Sequence, residues 1–140
     1  MTTAPDASGA LRRWVRGMAV CDVVMGPLLL VLPMSVFAAI PELVRPVPAD
    51  NPLAVRLLGL YAFGLAPGWL AGWNDPVRNG GAVWTANALR AIGTIGLLLG
   101  ATFDPHMPLL LRVIPLGEGV FAARTAWLMK KAGMTWLTPP

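Results

Sequence analysis

The sequence predicts an all-α membrane protein: a four-transmembrane-helix bundle with both termini cytoplasmic. Three observations predict it. Four apolar stretches follow one another over 17–40, 52–73, 82–103 and 108–129. Each is near the ~20 residues that a helix needs to cross ~30 Å of hydrocarbon. The chain of 140 residues is 56% hydrophobic and only 13% charged, against about 25% in soluble domains. Finally, Arg12, Arg13, Arg16, Arg78, Lys130 and Lys131 flank the spans at the N-terminal, second-loop and C-terminal ends. Lipid leaves backbone groups unsatisfied, so a span must be a helix or part of a closed barrel. Barrel strands alternate strictly over ~10 residues, whereas these runs are continuous and rich in Leu, Ala and Gly.

The elements follow in order. Residues 1–10 read as a short, polar, flexible N-terminal tail. Arg12, Arg13 and Trp14 then precede the first apolar run. That start has the form of a signal peptide, with Val36-Phe37-Ala38 as a cleavage site. The run is longer than an ordinary signal core, so an uncleaved first span is expected. Its single Cys21 leaves no intramolecular disulfide or cysteine metal cluster, and a buried, inert thiol is expected. The first loop carries Pro41, Pro46, Pro48 and Pro52, which predict a stiff, extended crossing. The second loop, 74–81, is dense in turn residues, and the third, 104–108, is a tight reversal.

Arg12, Arg13 and Arg16 precede span one, Arg78 lies in the second loop, and Lys130 and Lys131 follow span four. The positive-inside rule places the termini and the second loop in the cytoplasm. Trp14, Trp69, Trp73, Trp84, Trp127 and Trp136 fall near that face and read as an interfacial belt. The net charge of +4 is spread over helix ends and spans rather than gathered in one patch, so no nucleic-acid partner is expected.

Gly64, Gly68 and Gly72 recur every fourth residue in span two, as do Gly96 and Gly100 in span three. Small residues at that spacing let helices approach closely, within the bundle or against another protein. Pro27, Pro33, Pro67 and Pro115 each remove a helix hydrogen bond, and 115–119 is predicted to be the most irregular stretch at membrane depth.

Charges inside hydrocarbon are costly and count as functional candidates. Arg56 and Arg112 lie near outer span ends and can snorkel. Asp22, Arg90, Glu118 and Arg124 remain. Glu118 shares a helical face with Leu111, Pro115, Ala122 and Thr125, and that face is expected to point into the bundle. Asn87, Arg90 and Thr94 form a polar stripe on span three. The expected interior cluster is Asp22, Asn87, Arg90 and Glu118 with Arg124 nearby, two acids balanced by two arginines. It reads as a register-fixing network, as a ligand or headgroup contact, or as a proton-coupling carboxylate.

No nucleophile–base pair, metal-ligand spacing or phosphate loop is present, so no enzyme activity is expected. His106 is the lone candidate axial ligand for a haem or pigment metal; no other metal ligand is expected. No cofactor is predicted. Bound lipid is expected, with quinone or pigment as the alternative.

Spans two and three share Ala-x-Arg-x-x-Gly, as Arg56/Gly59 and Arg90/Gly93. With the four-span layout and cytoplasmic termini, these steps resemble small bacterial four-helix integral membrane proteins of the DoxX-like kind. The resemblance implies a bacterial cytoplasmic (inner) membrane protein that accompanies membrane redox systems. The functional expectation is an accessory or scaffold subunit packed against a larger redox or photosynthetic membrane complex. The alternatives are a proton-linked small-molecule transporter and a quinone- or pigment-binding redox component.

Overall fold

The computed structural model describes residues 4–31, 53–103 and 109–134. The described residues form four helices and no strand: α1 (Ala4–Val31), α2 (Leu53–Ala71), α3 (Gly80–Phe103) and α4 (Leu109–Lys131). Neighbours in sequence pack against each other, and α1 also meets α4, so the four close into a ring. Each helix runs antiparallel to the next. Gly72 of α2 abuts Val15 and Val83 at one end of the bundle, while Gly59 abuts Gly26 and Leu29 further along.

The expected polar tail over 1–10 is corrected, because helix begins at Ala4. Pro5 sits in the first turn, where its missing N–H costs nothing, and Asp6 complements the helix dipole. Ala7 and Leu11, four apart, are both buried and dock that turn. The predicted irregularity at 115–119 is also corrected, since α4 runs through it unbroken with Pro115 buried. The first loop, Pro33, His106 and Trp136 lie outside the described residues.

Between α2 and α3, Asp75 Oδ1 accepts from the backbone N–H groups of Val77 and Arg78, closing a local turn. At the end of α4, Gly133 has a positive φ of 77°. Its N–H bonds Lys130 C=O at 3.1 Å, and Met134 N–H bonds Met129 C=O at 3.0 Å. This Schellman closure turns Met134 back into the core.

The core is concentrated at this end, around Leu11, Val15, Trp69, Val83, Leu128 and Met129. Trp69 is fully buried, which corrects its place in an interfacial belt. Polarity is inverted elsewhere. Asp22, Asn87, Arg90, Thr94 and Thr125 are buried, whereas Val24, Leu60, Ile92, Phe103 and Val120 stand exposed. Two helical segments, Asp6–Val31 and Gly80–Phe103, are long and apolar enough to cross a membrane. The apolar part of α2, Val55–Ala71, is shorter.

The glycines divide sharply. A Cβ on Gly26 would meet the Phe63 backbone at 2.8 Å, and one on Gly59 would meet the Gly26 carbonyl at 2.9 Å. These two residues set the α1–α2 crossing, and neither belongs to the fourfold glycine series. Gly68 lies tight against Ala86, and Gly72 against Val83. Gly64 and Gly96 face open space, and Gly100 is half-buried.

A buried Asp–Arg–Glu site

The site grows from the stripe on α3. Asn87, Arg90 and Thr94 recur at helical spacing, and all three are buried. Thr94 Oγ1 donates to the Arg90 carbonyl at 2.9 Å, and Tyr61 Oη reaches the same oxygen at 3.0 Å from α2. Gly93 makes this approach possible, since a Cβ there would lie 2.6 Å from the Tyr61 ring. Asn87 Nδ2 donates to the Ala122 carbonyl at 3.3 Å and ties α3 to α4.

Arg90 spans the bundle interior. Its Nη2 lies 2.6 Å from Asp22 Oδ2 on α1, and its Nη1 lies 2.7 Å from Glu118 Oε2 on α4. Trp69 Nε1 donates to the same Asp22 oxygen at 2.8 Å. The guanidinium lies over the Trp69 ring at 5.6 Å and the Phe121 ring at 5.9 Å. Four helices therefore converge on one cation. Charge-assisted bonds are the strong ones, and a buried charge is tolerable only when it is held this way. Asn87 Oδ1 and Arg90 Nε are buried polar atoms without a hydrogen-bond partner.

Leu111, Pro115, Ala122 and Thr125 are all buried on the Glu118 side of α4. Arg124 does not join the site: it is exposed, with its guanidinium 4.8 Å from the centre of the Trp14 ring. The expected balance of two acids and two arginines is thereby corrected. Among the described residues the ion-paired group is one arginine with two carboxylates, and fully ionised it sums to one negative charge. Helix rotation explains the difference, because six residues carry Arg124 about 120° round α4 from Glu118.

Exposure grades the trio. The Arg90 side chain is 1% exposed, Asp22 6% and Glu118 19%. Both carboxylates line a cleft of about 180 Å³, together with Cys21, Met25, Leu58 and Tyr61. Cys21 is exposed rather than buried, at the open side of this cleft next to the buried Asp22. A second, apolar groove of about 360 Å³ is lined by Leu57, Leu58, Tyr61, Gly93, Gly96 and Leu111. Leu58 and Tyr61 line both.

Arg56 turns inward and donates from Nη1 to the Leu29 carbonyl at 3.0 Å. Each Arg-x-x-Gly step thus works alike: the glycine admits the neighbouring helix, and the arginine makes a crossing polar contact. Sequence reading passed over Trp69 and Tyr61 as site residues. Their signal was a shared face, since Tyr61, Leu65 and Trp69 lie four apart along α2. Among the described residues, no group of three or more His, Cys, Asp or Glu side chains could hold a metal ion.

Fold and site together define a class: a protein whose described residues form four helices around a buried charged trio beside a cleft. No protein-family model matches the chain, and no curated protein or solved structure matches it.

Proposed function

We propose that this protein is a four-span integral membrane protein of a bacterial cytoplasmic membrane, with both termini in the cytoplasm, acting as a proton-linked carrier of small lipid-soluble cations. The inverted polarity supports the membrane placement, since exposed Leu60, Ile92, Phe103 and Val120 suit lipid better than water. The resemblance to DoxX-like proteins through Arg56/Gly59 and Arg90/Gly93 bears on the membrane placement and not on the carrier activity.

One observation carries the activity. The two carboxylates of a trio with one excess negative charge line a cleft, and Glu118 is the more accessible of them. At these separations and in low dielectric, an uncompensated charge is expensive. A proton on a carboxylate restores neutrality, and so does a cationic group entering beside Cys21 and Tyr61. The two compete for one charge, which is the physical basis for exchange. Arg90 stays in place throughout as the fixed cation.

The test uses tetraphenylphosphonium with purified protein in weakly buffered detergent. Binding accompanied by proton release, with both lost in Glu118→Gln, is the expected result. Binding without proton release would sink the exchange mechanism, and absence of binding would sink the carrier.

The second reading is the accessory or scaffold subunit of a larger redox or photosynthetic membrane complex. Gly64 and Gly96 favour it, because both lie bare on the outside where a partner helix can approach. Gentle extraction with companion chains at fixed stoichiometry supports that reading, and a bare monomer or homodimer removes it.

A further inference from the structure

The far end of the bundle from the α2–α3 groove carries a different site. Arg13 of α1 and Arg124 of α4 line a pocket of about 270 Å³ with Ala10, Trp14 and Leu128. Trp14 forms its rigid wall. The Trp14 Nε1–H donates to Thr125 Oγ1 at 2.8 Å, and Thr125 is fully buried. The ring meets Phe121 edge-on, with centroids 5.9 Å apart. Arg124 lies over that fixed ring at 4.8 Å. Among the described residues, neither Arg13 nor Arg124 belongs to an ion pair, because both carboxylates in ion pairs are taken by Arg90. The charged lining of the pocket is wholly cationic, and the rest is apolar or aromatic.

We infer that this pocket binds a phosphate-ester anion, and that its occupant is the headgroup of an anionic phospholipid. Two guanidinium forks match phosphate oxygens in geometry as well as charge. Ala10, Trp14 and Leu128 supply an apolar surface for the glycerol and first methylenes of the lipid. The surroundings point the same way. Arg16 lies over Trp73 at 5.5 Å, and Lys131 over Trp127 at 4.1 Å. Paired cations and tryptophans at one end of a bundle mark the headgroup level. The lipid source rests on the membrane placement proposed above; the phosphate chemistry of the pocket does not.

The experiment is native mass spectrometry of the full chain in detergent, titrated with phosphatidylglycerol or phosphatidylcholine. Wild type should retain phosphatidylglycerol in preference to phosphatidylcholine. The Arg13→Gln/Arg124→Gln variant should lose that affinity by about tenfold or more, as expected for two charge-assisted contacts. The Lys130→Gln/Lys131→Gln variant keeps it, because those exposed lysines lie outside the pocket. Arg124→Lys retains charge without the fork and should fall between. Both altered arginines are exposed, and a melting curve for each variant verifies folding. Equal loss in both double variants would overturn the pocket in favour of diffuse charge, and so would equal retention of the two lipids. Displacement of phosphatidylglycerol by an equal concentration of inorganic phosphate would overturn the lipid source, because the apolar contacts of Ala10, Trp14 and Leu128 should favour the lipid. Recovery of the native protein from the soluble fraction would overturn the membrane placement, a failure read separately from the titration.

Discussion

Arg90 and Trp69 donate to the same oxygen, Asp22 Oδ2, from two different helices, at 2.6 and 2.8 Å. One carboxylate oxygen thereby fastens α1 to α2 and α3 at once. Asp22 ties Trp69 of the core to the ion pair with Arg90.

Trp69→Phe tests that sharing. It keeps most of the buried ring and removes the Nε1 donor. A hydrogen bond to a charged group contributes about 1.5–3 kcal/mol, so unfolding in mixed micelles should show a loss of that order. In the Asp22→Asn background the same change should cost less, because the acceptor is then uncharged.

Arg90→Met leaves Asp22 and Glu118 facing each other without a cation. Breaking a buried pair in this way costs about 3–5 kcal/mol. Adding Asp22→Asn and Glu118→Gln to that variant removes both stranded charges. The triple variant should recover most of the stability while remaining inactive in cation exchange. A triple variant no more stable than Arg90→Met would show that packing, not charge, governs the site.

The glycines make opposite predictions. Gly26→Ala and Gly59→Ala push a methyl into backbone 2.8–2.9 Å away. Overpacking of this kind costs about 1–3 kcal/mol. Gly64→Ala and Gly96→Ala meet open space and should be neutral or stabilising by up to about 1 kcal/mol. Thermal unfolding of the four variants in one detergent distinguishes the classes.

Cys21 reports on the cleft, since it is exposed and lines the same space as Glu118. Alkylation by a membrane-permeant maleimide should slow when tetraphenylphosphonium is present. Glu118→Gln should abolish that protection. Protection that survives in the variant would place the cation away from the carboxylates.

Topology has its own check. A fluorescent protein fused after residue 140 should fold and glow in the cytoplasm, and a periplasm-dependent phosphatase at the same place should stay inactive. The reverse pattern would overturn the orientation drawn from Arg12, Arg13, Lys130 and Lys131.

The division between sequence and structure is clear at particular residues. Helical periodicity alone marked Asn87, Arg90 and Thr94 as one stripe, and Leu111, Pro115, Ala122 and Thr125 as the Glu118 face. Both sets are buried, because 3.6-residue geometry fixes which side chains share a side. Apolar run length located the helices for the same reason, since it is a property of contiguous chain. The start of α1 escaped that logic. Its first turn, Ala4-Pro5-Asp6-Ala7, lies ahead of the apolar run and is held by the docking of Ala7 and Leu11.

What the chain determined by itself was local: helices, faces, and the few charged residues among apolar ones. Which helices meet, and at what rotation, was decided only by tertiary packing. Crossing angle and depth depend on contacts such as Gly26 with Phe63 and Gly59 with Gly26, which no spacing rule within one helix encodes. Those contacts brought Asp22 and Glu118 to Arg90, buried Trp69 against them, and left Arg124 outside on Trp14. A charge count along the sequence balances the four residues; only the rotation of α4 about its own axis leaves the trio one positive charge short.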